Sequence, residues 1–599
     1  MTEPFAAAAA TAPSGAAAAE RARPRFAREM GEKYRGGSVV EFLLHGNVAD
    51  LQPLRTPEPL AKAEGADAAA ARGGLRFVPL RDYLARELFA GRDMIVFYDP
   101  ASGLSFPKPE MGFAFERVMK AAASVGGWKY DGHVSRDPLA ALDAIGNYVR
   151  TIALDPRDPK RIAIVIDYAQ MVAPAGEIGH LGTAEKAALV TLLKWASDPV
   201  FVKGDVTVVL VAESLADLNR LLIRSPHVAA VEIPLPDEAE RRDFLETGAP
   251  AVGPCPLATL GTLTAGLSRV NIQHLVTEAL KNAKPLTSEY VNFAKKQLIE
   301  KECFGLLEFV APTRTLEDVA GHEAAREWLL GDARLIKAGR LDALPMGYLF
   351  CGPVGTGKTY LAMCFAGSIG VPCVTLKNFR SQWQGVTEGN WEKILAVLRA
   401  TGPVGVIIDE ADAAVGDRDS GGDSGTSSRV FSMLAAQMGD TRYRGRIIWF
   451  LLTCRPDLLP VDLKRQGRAE VHIPLFPPHD PAERTALHEA MARKMKVDAD
   501  AIAGAIPVER NLTGAEVEAI LVRARRRAFL RGAPRAENED VRAEAGAFLP
   551  PQQGEEIELQ TLAAVIECSD ARFLPTRYKG ADRADLGRMV TDLKARLGK

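Results

Sequence analysis

The sequence predicts an α/β chain of two modules, each a parallel sheet with flanking helices followed by a helical lid. Three observations predict it. At 599 residues the chain exceeds what one hydrophobic core serves and suits about four structural units. Short apolar runs rich in Val and Ile alternate with longer stretches of helical pattern, the signature of βα units. The pattern also repeats: 45 residues separate Asp409 from Cys454 and 46 separate Asp167 from Glu213, while 20 and 21 residues lead on to Pro474 and Pro234.

The elements follow in order. Residues 1–35 are rich in Ala, Arg and Pro without a sustained hydrophobic period and are expected to be a disordered tail. The Ala-rich start carries Glu3 in place of a basic region and has no Leu-rich stretch, so it does not read as a secretion signal. Residues 36–236 hold the first α/β module. Phe42–Asp50 is a candidate first strand and turn, followed by the strands DMIVFYDP, RIAIVID, VTVVLVAE and VEIPLPD. Residues 237–309 are its helical lid, ending in the charged stretch KKQLIEKECFGLLEF. Pro312 separates that stretch from a new start at Leu316. Residues 316–478 hold the second α/β module, with strands GYLFC, VGVIID, RIIWFLLT and VHIPLFPP, and residues 479–599 hold its lid and C-terminal helices.

Formal charge is −2, so no global basic excess recruits nucleic acid or an anionic membrane. No apolar run reaches the roughly 18 residues that span a bilayer. The seven cysteines show no CxxC spacing and read as reduced core thiols. A cytoplasmic location is expected.

Gly352-Pro353-Val354-Gly355-Thr356-Gly357-Lys358-Thr359 fits G-x-x-x-x-G-K-[ST] between a strand and a helix. The glycines let backbone N–H groups close on phosphate oxygens, and the following helix adds its positive end. The expected nucleotide-binding set is Gly352 through Thr359 with Tyr360. Lys358 is expected on the β- and γ-phosphates of ATP and the Thr359 hydroxyl on Mg²⁺. Downstream, VGVIID delivers Asp409 to the Mg²⁺ shell and places Glu410 as the general base for the attacking water.

Residues 316–530 resemble an AAA ATPase module of the subgroup containing protein unfoldases and microtubule-severing enzymes. Leu316-Glu317-Asp318-Val319-Ala320-Gly321 resembles the entry segment, and the resemblance implies that the backbone of Asp318, Val319 and Ala320 meets adenine. Thr453-Cys454-Arg455-Pro456-Asp457 resembles the sensor stretch T-N-R-P-D, with Cys454 where the family has Asn. Arg465-Gln466-Gly467-Arg468 resembles R-x-G-R, the paired arginine fingers that act on a neighbouring subunit's nucleotide. Leu512 through Val517 resembles the lid signature. Trp383, Gln384 and Gly385 align with the first pore loop, although Trp383 also suits a packed core, and Gly416–Ser428 is either a second pore loop or a surface loop.

In the first module, alignment on DMIVFYDP gives a phosphate loop Asp99–Phe106 with Ser105 in place of the lysine and Phe106 in place of the hydroxyl. The acid pair becomes Asp167-Tyr168, and Arg224 alone remains of the finger segment. The double-module order, with the Lys295–Glu308 join, is similar to a poorly characterised bacterial and plastid group carrying a degenerate module before a working one. The resemblance implies an ATP-hydrolysing ring, hexameric, that remodels a protein client. An ATP-gated scaffold is the alternative. A nucleic-acid motor rests only on Arg523–Arg527 and Lys295-Lys296, which lack stacking aromatics.

Overall fold

The computed structural model describes residues 23–37, 39–55, 75–126, 136–153, 159–248, 256–282, 284–303, 306–310, 314–376, 388–415, 426–549 and 554–598. The chain forms two compact units, Met1–Lys295 and Lys296–Lys599.

The first unit contains β1 (Glu41–Gly46), β2 (Leu51–Arg55), β3 (Leu75–Pro79), β4 (Met94–Asp99), β5 (Gly103–Ser105), β6 (Ile162–Ile166), β7 (Val206–Val211) and β8 (Val228–Ile233). Six of them make one sheet in the order β5-β4-β6-β7-β1-β8, parallel except for the β4–β5 pair, while β2 and β3 form a separate antiparallel pair. Alternate residues of each strand enter different cores. Val96, Tyr98 and Leu43 pack with Trp195 and Tyr148 on one face; Phe97, Phe42 and Leu44 pack with Phe26 and Tyr83 on the other. Burial on both faces is why these strands read as continuous apolar runs.

The expected tail over residues 1–35 requires correction in its last part. Arg25–Arg35 is a helix that buries Phe26, Ala27 and Met30, and the Phe26 ring meets Tyr83 edge-on at 5.7 Å. Its apolar residues form one narrow stripe among basic and acidic ones, too short to stand out as a period.

The helices Glu238–Gly248, Leu257–Leu263, Arg269–Lys281 and Ser288–Glu302 follow β8. The expected lid through residue 309 is shorter than proposed. Leu307–Val310, β9, pairs antiparallel with a strand of the second sheet, with Leu307 opposite Leu376 and Val310 opposite Cys373. The charged helix therefore ends at Glu302, and the apolar residues that look like its continuation are an edge strand.

The second unit adds β10 (Gly347–Cys351), β11 (Cys373–Leu376), β12 (Val404–Ile408), β13 (Ile447–Thr453) and β14 (Val471–Pro474), giving the order β14-β10-β13-β12-β11-β9. The lid helices Pro481–Met495, Gly514–Leu530 and Asn538–Ala547 enclose their own core around Ile506, Val517, Ile520, Leu521 and Val541. Helices Gly554–Glu567 and Arg583–Leu597 close the unit, and Cys568 and Phe573 between them enter the core of the α/β layer.

The two sheets correct one alignment. β10 lies between β13 and β14, and the strand in the same place of the first sheet, between β7 and β8, is β1. The strand DMIVFYDP is β4, which occupies the place of β11. The first unit's counterpart of the phosphate loop is thus Gly46–Asp50, and Ser105 and Phe106 do not stand in for the lysine and the hydroxyl. Both strands are buried apolar runs leading into a turn, and hydropathy alone does not report position within a sheet.

Candidate nucleotide site

β10 is buried throughout and delivers Gly352 at the carboxyl edge of the sheet. Gly352 has φ +132°, and a Cβ there would lie 2.1 Å from the Leu475 carbonyl oxygen. Gly355, at φ +81°, leaves room for the Thr513 hydroxyl, which a Cβ would approach to 2.9 Å. Gly357 is the left-handed N-cap of the helix Lys358–Ile369. The loop thus turns back over the start of a three-turn helix whose first N–H groups and dipole favour an anion. Lys358 is buried, and its Nζ donates to the carbonyls of Gly352 and Pro353, both at 2.9 Å, and to Cys454 Sγ at 3.2 Å.

β12 carries the acids. The Thr359 hydroxyl donates to Asp409 Oδ2 at 2.9 Å, which brings together the two residues expected to hold Mg²⁺. Hydroxyl and carboxylate oxygens are the hard donors this ion takes, and the glycine-lined turn leaves space beside them for phosphates, so these residues fit a magnesium nucleotide. Glu410 is exposed and holds a left-handed backbone at φ +48°, an uncommon conformation for a residue with a side chain. The end of β13 meets the short helix Ala411–Val415 through Thr453, whose hydroxyl donates to Asp412 Oδ1 at 2.6 Å and accepts from the Arg455 N–H at 2.8 Å. Cys454 is held between these groups and Lys358.

On the opposite side of the loop, Leu316–Asp318 forms a 3-10 turn, and the Asp318 carbonyl accepts from the Tyr360 hydroxyl at 3.3 Å. Arg314 donates to Tyr360 at 3.2 Å and lies over its ring. Val319 is buried and Ala320 half-buried beside this turn. His322 also belongs here. It has φ +52°, its Nε2 lies 3.2 Å from the Thr356 carbonyl, and burial lowers its pKa, which keeps the imidazole neutral and a donor to that oxygen. Sequence reasoning missed it, although its position directly after the entry segment was the available signal. It also missed Gln560, whose Oε1 accepts from the Val354 N–H at 3.1 Å. No local signal marks that contact.

The two arginines differ. Arg465 has 59% of its side chain exposed and lies 3.9 Å from Asp462, whereas Arg468 is 11% exposed and donates to the Asp462 carbonyl at 2.6 Å. Arg465 is presented outward and Arg468 is tied to its own chain. Trp383, Gln384 and Gly385, and most of Gly416–Ser428, lie outside the described residues.

The corresponding place in the first unit is built differently. Gly46 repeats the role of Gly352, at φ +92° with a Cβ position 2.8 Å from the Ile233 carbonyl. Four residues later Asp50 is buried, and the chain enters β2 with no intervening helix. Asp50 accepts from the Val270 N–H at 3.0 Å and from Asn47 Nδ2 at 2.9 Å, and faces the buried Arg269 guanidinium at 3.5 Å. Arg269 opens a helix capped by Ser268, as Thr513 caps Gly514–Leu530. An internal ion pair fills the ground that the glycine turn leaves open in the second unit. After β6, Tyr168 holds the same left-handed turn as Glu410, at φ +54°, without a carboxylate.

Residues 348–476, which span β10 to β14, match the family described as "ATPase family associated with various cellular activities (AAA)". The second α/β module is similar to the AAA family. Residues 12–234 match "AAA+ chaperone, N-terminal Rossmann-like domain" and residues 239–304 match "AAA+ chaperone, second helical domain". These matches cover the first sheet and the four helices after it, so both α/β modules are similar to AAA-type domains. Among curated relatives, it is 26% identical over 410 residues to the Cell division cycle protein 48 homolog of Archaeoglobus fulgidus, covering 62% of this chain and 55% of that one. It is 26% identical over 355 residues to Protein CdcH of Halobacterium salinarum, covering 53% and 47%. It is 32% identical over 197 residues to the ATP-dependent zinc metalloprotease FtsH of Marinobacter nauticus, covering 31% of each chain. The chain spans about half the length, or less, of these relatives. No described helix is long and apolar enough to cross a membrane.

Proposed function

We propose that the second unit hydrolyses Mg²⁺-ATP and that the cycle remodels, unfolds or disassembles a protein client within a homo-oligomeric ring, hexameric as in the family it resembles. One observation carries the reading: a glycine turn, Lys358, the Thr359–Asp409 pair 2.9 Å apart and the exposed Glu410 converge on the carboxyl edge of one sheet. Lys358 exchanges two carbonyl partners for the β- and γ-phosphates. Thr359 and Asp409 hold Mg²⁺, which supplies neutralising charge across the phosphates. Glu410 accepts the proton of the attacking water, a contribution of about 10²–10⁴ in rate. Asp318, Val319 and Ala320 line the base, with Tyr360 bracing their turn. Arg465 reaches the γ-phosphate of the next subunit, for which its exposure suits it, and Arg468 braces that segment.

Among the described residues the first unit keeps the sheet without a phosphate-facing lysine, and its role is structural or regulatory. The match of residues 12–234 and 239–304 to AAA+ chaperone domains favours a protein client over a polynucleotide. So does the engagement of the basic residues: Arg525 donates to the Met495 carbonyl at 2.9 Å, Arg527 lies 3.6 Å from Asp540, and burial lowers the Lys295 pKa to about 8. A cytoplasmic location accords with this role. A second reading, an ATP-gated scaffold with slow turnover, is favoured by Cys454, whose thiol is a weak partner where the family has an amide.

Steady-state hydrolysis against protein concentration tests the choice. Specific activity that rises with concentration, and collapses in Glu410→Gln and in Arg465→Ala, supports the ring with shared sites. Activity unchanged by Arg465→Ala overturns it in favour of the scaffold.

A further inference from the structure

The helix Gly554–Glu567 touches the site at two points that the reaction as described leaves unused. Gln560 is 8% exposed, and its Oε1 accepts from the Val354 N–H. Two turns on, about 10 Å along the axis and on the same face, Glu567 Oε2 accepts from Lys464 Nζ at 2.7 Å, and its Oε1 lies 3.3 Å from His472 Nδ1. Lys464 directly precedes Arg465 and also donates to the Pro456 carbonyl at 2.9 Å. The Lys464–Glu567 pair is 12% and 17% exposed, so it is neither a solvated surface contact nor readily broken. The neighbouring helix Arg583–Leu597 adds a third tie, with Lys594 on Asp457 at 2.7 Å and Asp457 on Arg455 at 2.8 Å.

The Pro353–Val354 peptide group is the point of contact with chemistry. Its carbonyl accepts from Lys358 Nζ and from the Thr356 hydroxyl, both at 2.9 Å, and its N–H donates to Gln560. When Lys358 turns to a phosphate, this peptide loses its charged partner on one side while Gln560 holds the other. We propose that Gln560 and Glu567 are positioning residues of the ATPase: one helix holds the phosphate loop and the arginine segment in register, so that loop movement on nucleotide binding is passed to Arg465. This inference rests on the assignment of Lys358 and Glu410 to ATP hydrolysis.

The test compares kcat, KM for ATP and thermal midpoint for wild type, Gln560→Leu, Glu567→Gln and the double variant. Gln560→Leu keeps the volume and removes the acceptor. It is expected to raise KM about two- to tenfold, the value of one hydrogen bond, with kcat and midpoint little changed. Glu567→Gln is expected to lower kcat with KM little changed; if it fails to fold, Lys464→Met removes the same tie. In the double variant kcat/KM should depart from the product of the single effects by more than about twofold. A Gln560→Leu enzyme with unchanged KM, a fall in midpoint with proportional loss in every parameter, or strictly multiplicative effects overturns the proposal. Glu410→Gln in the same series separates the two levels. If it abolishes hydrolysis while Gln560→Leu behaves as wild type, only the positioning role fails; if it does not, the site assignment fails first.

Discussion

Replacing Asp50 with Ala tests whether the first unit is closed by its own side chains. Asp50 and Arg269 are 1% and 4% exposed, and their charged atoms lie 3.5 Å apart. The substitution removes the acceptor for the second N–H of the helix Arg269–Lys281 and leaves Arg269 with Glu240 at 3.4 Å as its remaining ionic contact. Glu240 is itself partly buried and its pKa is raised by burial, which makes it a poor substitute anion. Breaking a buried pair from one side costs about 3–5 kcal/mol. With a slope of about 3 kcal/mol per molar urea, the midpoint should fall by about 1–1.7 M. Urea-dependent hydrogen exchange on peptides from β1, β7 and β8 reads the loss locally. Adding Arg269→Met should recover much of it, because the stranded charge is the larger part of the penalty. A shift below about 0.3 M, or a double variant no better than Asp50→Ala, refutes the account of the plug.

Two further outcomes follow from local geometry. Gly355→Ala must place a side chain at φ +81° and push on the Thr513 hydroxyl. Strain of about 1–2 kcal/mol should raise KM for ATP roughly tenfold with the fold retained, as nucleotide titration would show. Asp167 has its pKa raised to about 6 by burial, against a weaker lowering by Arg81 at 3.9 Å. Stability from the protonated form is present below about pH 4 and is lost as pH rises through 6, on the order of 3 kcal/mol. The unfolding midpoint of the first unit should therefore fall between about pH 4 and 6 in wild type and level off above. It should stay flatter in Asp167→Asn; equal slopes would discount Asp167 as the cause.

The second unit was legible because its chemistry is local in sequence. Gly352–Thr359 encodes a turn and a helix start together, Asp409-Glu410 closes a strand, and Thr513 with Glu516 three positions on writes a capping box. What could not be read is what the fold brings from afar. Val354 and Gln560 are 206 residues apart, and Asp50 and Arg269 are 219 apart. Neither contact leaves a trace in spacing or hydropathy. Strand identity failed for a related reason: EFLLHG and MIVFYD both open on four buried residues, and only pairing partners tell the strand between β7 and β8 from the one between β5 and β6. β9 reads as helix in the sequence because four apolar-leaning residues are too few to show a period.

The left-handed residue after the acid-bearing strand has a consequence of its own. Glu410 and Tyr168 pay the same conformational penalty, yet only one of them bears a carboxylate. A duplicated sheet is thus a built-in control experiment. Whatever both copies preserve, such as the glycine against a carbonyl, the hydroxyl cap on Arg269–Lys281 and on Gly514–Leu530, and this kinked backbone, is architecture that the fold needs whether or not it turns over a substrate. What appears in one copy alone, the lysine, the threonine and the glutamate, is the removable part, so that an engineer building the second unit's site into the first would begin by unlocking Asp50 and leave the kink untouched.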